Sequence, residues 1–153
     1  MDSFKIEHFK TEYPNIAFPE CHSLDNTELL ILQNHLFDKL SFKNRDLLEL
    51  TKKLNDLASV IFDVNAENED FCLSSVLTGK NIKPNRLVYL NWYRYDQIDK
   101  IGFADLEKYF DSIWYPISDD LDIFDDSYSW ILSVSHDGVV SLLIFQKNYE
   151  LRS

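Results

Sequence analysis

Residues 115–130 read YPISDDLDIFDDSYSW, and five aspartates fall within eight positions: Asp119, Asp120, Asp122, Asp125 and Asp126. Carboxylates at this density suit three kinds of chemistry. They can ligate a hard cation, work as an acid–base pair, or offer a negative face to a cationic partner. A calcium loop of the EF-hand kind needs D-x-[DN]-x-[DN]-G and a glutamate at position twelve. Counted from Asp120, position five is Phe124, position six is Asp125 and position twelve is Ile131. The pattern breaks at those places, so no metal and no cofactor are expected.

An acid–base pair needs a cleft and one carboxyl with a raised pKa. Around the aspartates the usual companions of catalysis are missing. The three glycines, Gly79, Gly102 and Gly138, make neither a phosphate-cradling loop nor a nucleophile elbow. His8, His22, His35 and His136 have no paired-ligand spacing. His136, beside Asp137, is a candidate general base, and a half-exposed strand end is the plainer reading. Cys21 and His22 match no common zinc module with Cys72. Reduced, partly buried thiols are expected.

The docking face fits the pattern best. Successive side chains of a strand point to opposite sides. A strand over 121–124 would turn Leu121 and Ile123 inward and Asp120 and Asp122 outward, and the preceding helix would add Asp105 and Asp111. The plainer alternative is a solvated face that blocks sheet-edge aggregation.

The charge balance supports a face rather than a spread. The formal net charge is −11, and residues 96–126 hold ten acids against two bases, which is −8 of that total. Such a chain repels nucleic acid and anionic membrane surfaces and attracts a basic protein. No run of apolar residues is long enough to cross a membrane, and, since MDSFKIEHFK lacks an apolar stretch and carries Asp2 and Glu7, no secretory leader is expected. With 153 residues, 22 of them aromatic, the chain is expected to fold as one domain, 1–153, around an ample core.

The elements that must position these residues read as helices first and strands later. Asp2 or Ser3 caps a short helix with Phe4, Ile6 and Phe9, ended by Pro14. Residues 15–24 read as irregular. Asp25 and Glu28 have capping-box spacing ahead of Leu29, Leu32, Leu36, Phe37 and Leu40. A second helix starts at Ser41 or Asn44 and carries Leu47, Leu48, Leu54, Leu57, Ala58 and Ile61 on one face. Residues 64–85 are loop-rich, with a helical turn around 71–77. RLVYLNWYRY reads as a strand, and GFADLEKYFDSIW as a helix ended by Pro116. SYSWILSVSH, Asp-Gly and VVSLLIF read as a two-residue hairpin. That hairpin pairs Trp130 with Phe145, Leu132 with Leu143 and Val134 with Ser141. Leu121–Phe124 adds a short strand. The class is α+β: a helical N-terminal half packed on a small, mostly antiparallel sheet with a C-terminal β-hairpin.

The stretch IWYPISDDLDIFDDSYSWILSVSHDGVVSLL resembles a C-terminal pattern of small acidic bacterial immunity proteins from polymorphic-toxin and contact-dependent inhibition systems. It consists of a WYP segment, an acidic strand and a Trp-bearing hairpin ending in H-D-G. The resemblance covers about residues 110–145 and implies a cytoplasmic, non-enzymatic protein. Such a protein binds and neutralises a cognate toxin domain, expected to be a nuclease with a basic cleft. The residues expected to meet it are Asp111, Tyr115, Asp119, Asp120, Asp122, Asp125, Asp126 and Tyr128. Two other classes stay open: an acidic nucleic-acid mimic blocking a DNA-binding protein, and a small hydrolase using Asp carboxylates with His136.

Overall fold

A computed structural model describes residues 1–146. Its elements in chain order are α1 (Ser3–Glu12), β1 (Cys21–Ser23), α2 (Asn26–Lys39), α3 (Leu47–Leu57), β2 (Ser59–Asn65), α4 (Leu73–Gly79), β3 (Leu87–Tyr93), β4 (Gln97–Gly102), α5 (Phe103–Lys108), α6 (Phe110–Ile113), β5 (Leu121–Phe124), β6 (Trp130–Val134) and β7 (Val139–Ile144). The seven strands form one antiparallel sheet in the order β1-β4-β3-β5-β6-β7-β2. The α+β class holds, with helices mostly early and strands mostly late in the chain. Among the described residues no helix is long and apolar enough to cross a membrane.

Local chemistry sets the helix starts. The Asp2 side chain accepts from the Phe4 N–H at the head of α1. Asp25 and Glu28 close a capping box on α2: the Glu28 N–H donates to Asp25 and the Asp25 N–H to Glu28, both at 2.8 Å. Asp46, not Ser41 or Asn44, caps α3. That helix stops before Ala58, and Ile61 belongs to β2 instead. The helix expected over 102–114 is broken at Tyr109 into α5 and α6. The segment read as irregular supplies β1, paired with β4.

Helices cover both faces of the sheet, rather than one as expected. The row Leu90, Ile123, Leu132 and Leu142 runs across β3, β5, β6 and β7 on the first face. It joins the core of α1, α4, α5 and α6 residues, including Phe9, Leu77 and Leu106. One residue along, Tyr89, Phe124, Ile131 and Leu143 form a row on the second face. They pack with Leu32, Leu36 and Phe37 of α2 and Leu50 and Leu54 of α3. Each fully buried side chain of this size contributes about 1.5–3 kcal/mol before entropy is subtracted.

The hairpin differs from its expected form by one residue. Trp130 pairs with Ile144, Leu132 with Leu142 and Val134 with Val140. The turn has three residues, His136, Asp137 and Gly138. The Gly138 N–H donates to Ser135 O at 2.8 Å and the Ser135 N–H to Val139 O at 3.0 Å. Only Gly138 has positive φ, +81°. This is a type I turn closed by a left-handed glycine bulge, in place of a two-residue type I′ turn. A slip of one residue turns a whole strand over. Val140 and Leu142, not Leu143 and Phe145, therefore share the first face with Trp130, Leu132 and Val134.

Candidate functional site

The aspartates surround β5, which stands fourth of seven strands. A central strand covered on both faces has no solvent side, so alternation cannot send every second residue to water. Leu121 and Ile123 are buried on the first face as expected. Asp122 points into the second face instead of outward. Its Oδ2 accepts from Asn91 Nδ2 at 3.0 Å and Tyr95 Oη at 2.8 Å, and its Oδ1 from Ser133 Oγ at 2.6 Å. Burial, with Asp122 alongside, holds the Tyr95 phenol well above its ordinary pKa, so it stays a donor.

Asp119 and Asp125 are also committed internally. Asp119 accepts from the Lys5 ammonium and, at 2.8 Å, from the Tyr115 N–H. Asp125 is 1% exposed. It accepts from the N–H groups of Asn85 and Ser127, from Ser127 Oγ, and from Trp130 Nε1. These three carboxylates hold the fold and do not form an outward cluster.

Asp120 and Asp126 are exposed, but they flank β5 at opposite ends. Asp126 accepts from Asn85 Nδ2 at 2.5 Å. Asp120 accepts from both the N–H and the Nδ1 of His136, at 2.8 and 2.9 Å. Asp111 is exposed on α6. Tyr115 is half-buried under the Lys5 ammonium, which lies 3.8 Å from its ring centroid. Tyr128 is 9% exposed and stacks on His35 at 4.7 Å, so it belongs to the core more than to a surface. The sheet and the flanking helices thus distribute the expected site residues instead of pooling them.

What the register does bring together is a polar row. Asn91, Asp122, Ser133 and Ser141 are successive cross-strand partners on β3, β5, β6 and β7. They continue the second face two residues beyond the apolar row of Tyr89, Phe124, Ile131 and Leu143. At this end the face opens into a cleft of about 680 Å³, walled by Thr51 and Asn55 of α3. Asp120 and Arg94 lie at its rim.

The rim is conformationally unusual. Arg94 and Tyr95 both have positive φ, 49° and 59°, in the β3–β4 turn. Tyr95 is tied down by its N–H to Asn91 Oδ1 at 2.9 Å and by Gln33 Nε2 donating to its carbonyl at 2.8 Å. Ile117, in the 116–120 loop, has φ 75° and is 87% exposed. Its N–H donates to His136 O at 2.7 Å. A β-branched residue with positive φ is a strained conformation, and such strain concentrates at ligand clamps and switches.

The Asp120 carboxylate raises the His136 pKa above 6.5, chiefly by hydrogen bonding. An aspartate that orients a histidine is two parts of a nucleophilic relay. Among the described residues no Ser, Thr or Cys side chain is hydrogen-bonded to His136, so the third part is missing. The pieces of a zinc site are separately engaged. His22 pairs with Glu28 at 2.8 Å and Cys72 Sγ donates to Glu107 at 3.2 Å. Burial, with Asp99 nearby, pushes the Cys21 thiol up to about 11. Among the described residues no group of three His, Cys, Asp or Glu is placed to hold a metal.

Asn91, Ser133, Ser141 and Ile117 escaped the sequence reading. Ser133 lies between Leu132 and Val134, and Ser141 between Val140 and Leu142. That interruption was the available signal. The expected register put Ser141 opposite Val134 and so on the face away from Ser133. No family model matches the chain, and the searches of curated proteins and of solved structures return no significant match.

Proposed function

We propose that this chain is a non-enzymatic inhibitor of the immunity type, a cytoplasmic protein that binds and neutralises a cognate basic toxin domain. The observation that carries the reading is Ile117. It is an apolar side chain held in strained backbone, 87% exposed, beside the Asp120–His136 pair and the mouth of an open cleft. Folding gains nothing from that exposed side chain, whereas a partner that covers Ile117 gains an anchor on a rigid support. The overall charge of −11 favours encounter with a basic partner over long range. The surface differs from a continuous acidic patch: Ile117 anchors, Asp120 sits beside it, and Asp111 and Asp126 lie farther out and act through the field.

Co-expression with a basic toxin domain, where one is encoded beside this chain, tests the reading. A stable complex on size-exclusion chromatography and loss of the toxin's activity are expected. Separate elution at micromolar concentration with the activity intact rejects it.

A further inference from the structure

Asp122 and Asp125 are drawn back from solvent with no cation at ion-pair distance among the described residues. Asp125 is closed in by neutral donors. Asp122 instead lies on the floor of the 680 Å³ cleft. Three protons around it are committed to it. One from Asn91 Nδ2 and those of Tyr95 Oη and Ser133 Oγ point at its oxygens. The floor and rim offer a ligand the lone pairs of Ser133 Oγ, Ser141 Oγ and the Asp120 oxygen not taken by His136. The Arg94 guanidinium lies over the Tyr93 ring at 4.6 Å and pairs with neither carboxylate.

With two carboxylates against the one guanidinium of Arg94 in its lining, the cleft carries spare acceptors and an excess of negative charge that suit a donor-rich cation. A guanidinium carries five N–H donors in a planar fork and no acceptor, and it is more weakly hydrated than an ammonium. The volume lies in the ordinary range of ligand clefts and leaves room for main chain on either side of one long side chain. We propose that this cleft takes the guanidinium of an arginine carried by the partner, with Asp122 at its floor and Asp120 at its rim. The identity of the partner rests on the reading above; the chemistry of the cleft is tested without it.

The test is an NMR titration of the ¹⁵N-labelled protein with N-acetyl-arginine amide, and in parallel with its uncharged isostere N-acetyl-citrulline amide. Saturable shifts confined to the cleft ends of β3, β5, β6 and β7 are expected, with affinity at least about tenfold weaker for citrulline, as fits loss of a charged hydrogen-bonding group. Asp122→Asn should abolish the arginine response, while Glu69→Gln, at an exposed carboxylate outside the cleft, should leave it unchanged. Because Asp122 also ties strands together, Asn55→Lys is the second variant. It places an ammonium on the exposed cleft wall and should suppress binding in a folded protein. Equal binding of the two amides, shifts away from the cleft, or no response overturns the inference, even if the toxin complex forms. An arginine response without a toxin complex rejects the function and leaves the cleft chemistry standing.

Discussion

The ammonium of Lys5 is buried against the carboxylate of Asp119, 114 residues further along the chain. The same ammonium donates to Ile113 O at 2.8 Å and lies over the ring of Tyr115. One lysine thus fastens α1 to the loop that enters the central strand. The contact explains why an aspartate from the densest part of the acidic run is unavailable to a partner.

Removing one member of a buried pair strands the other. Lys5→Met should destabilise the protein by about 3 kcal/mol, because the Asp119 carboxylate loses its cation in a site that is only 16% exposed. Adding Asp119→Asn should recover a large part of that loss, since no unpaired charge remains. Urea unfolding of both variants measures the difference. Equal destabilisation by the single and the double change would show the pair to be energetically idle.

Two glycines should respond in opposite directions to alanine. At Gly138 φ is +81°, and a Cβ would stand 2.1 Å from Asn65 Oδ1. Asn65 cannot swing away freely, because its Oδ1 accepts from the Glu67 N–H at 2.8 Å. Gly138→Ala should therefore cost about 2 kcal/mol or more, from the left-handed backbone and the clash together. Gly79 ends α4 with nothing within 4 Å of the added carbon. Gly79→Ala should stabilise by about 0.5–1 kcal/mol through helix propensity and a less flexible unfolded chain. Thermal unfolding distinguishes the two.

The elements legible in the sequence were those whose signal is local. The capping box at Asp25 and Glu28, the apolar spacing of α2 and the β-rich run at 87–93 each carry their cause within a few residues. The hidden elements depend on distant partners. β4, Gln97–Gly102, contains Asp99 and Lys100 and does not read as a strand. Asp99 is 1% exposed because the terminal ammonium of Met1, 2.5 Å away, Ser23 Oγ, at 2.5 Å, and Trp92 Nε1, at 2.8 Å, satisfy it. β2 continues the helical spacing of Leu54, Ala58 and Ile61, so its change of conformation is invisible locally. The aspartates were misplaced for a related reason. Whether a residue that alternates with Leu121 and Ile123 meets water depends on where its strand stands in the sheet. That position is decided by β3, thirty residues earlier, as much as by β6.

His136 supplies a pH readout of the site. Its folded-state pKa is raised above 6.5 by the Asp120 carboxylate. A raised folded value means the pair's contribution is complete below the unfolded pKa and fades as pH rises through the folded one. Titration of the His136 ring resonances by NMR should give a midpoint above 6.5, and Asp120→Asn should bring it back toward that value. The Asn side chain still accepts from the His136 N–H, so the loop should stay in place. A midpoint unchanged by Asp120→Asn would remove Asp120 as the cause.

Ile117 separates folding from binding. Asparagine tolerates left-handed backbone far better than a β-branched residue does, and the exposed isoleucine side chain contributes little to the core. Ile117→Asn should leave stability unchanged or raise it by up to about 1 kcal/mol. If Ile117 is the anchor of the partner interface, the same change should weaken the complex by about 2 kcal/mol, roughly thirtyfold in Kd. Urea unfolding and calorimetric titration with the toxin domain read the two quantities on one variant. Opposite signs are the mark of a residue kept for binding at the expense of backbone strain. Lost stability with unchanged affinity would place Ile117 in the fold alone and move the interface elsewhere on the molecule.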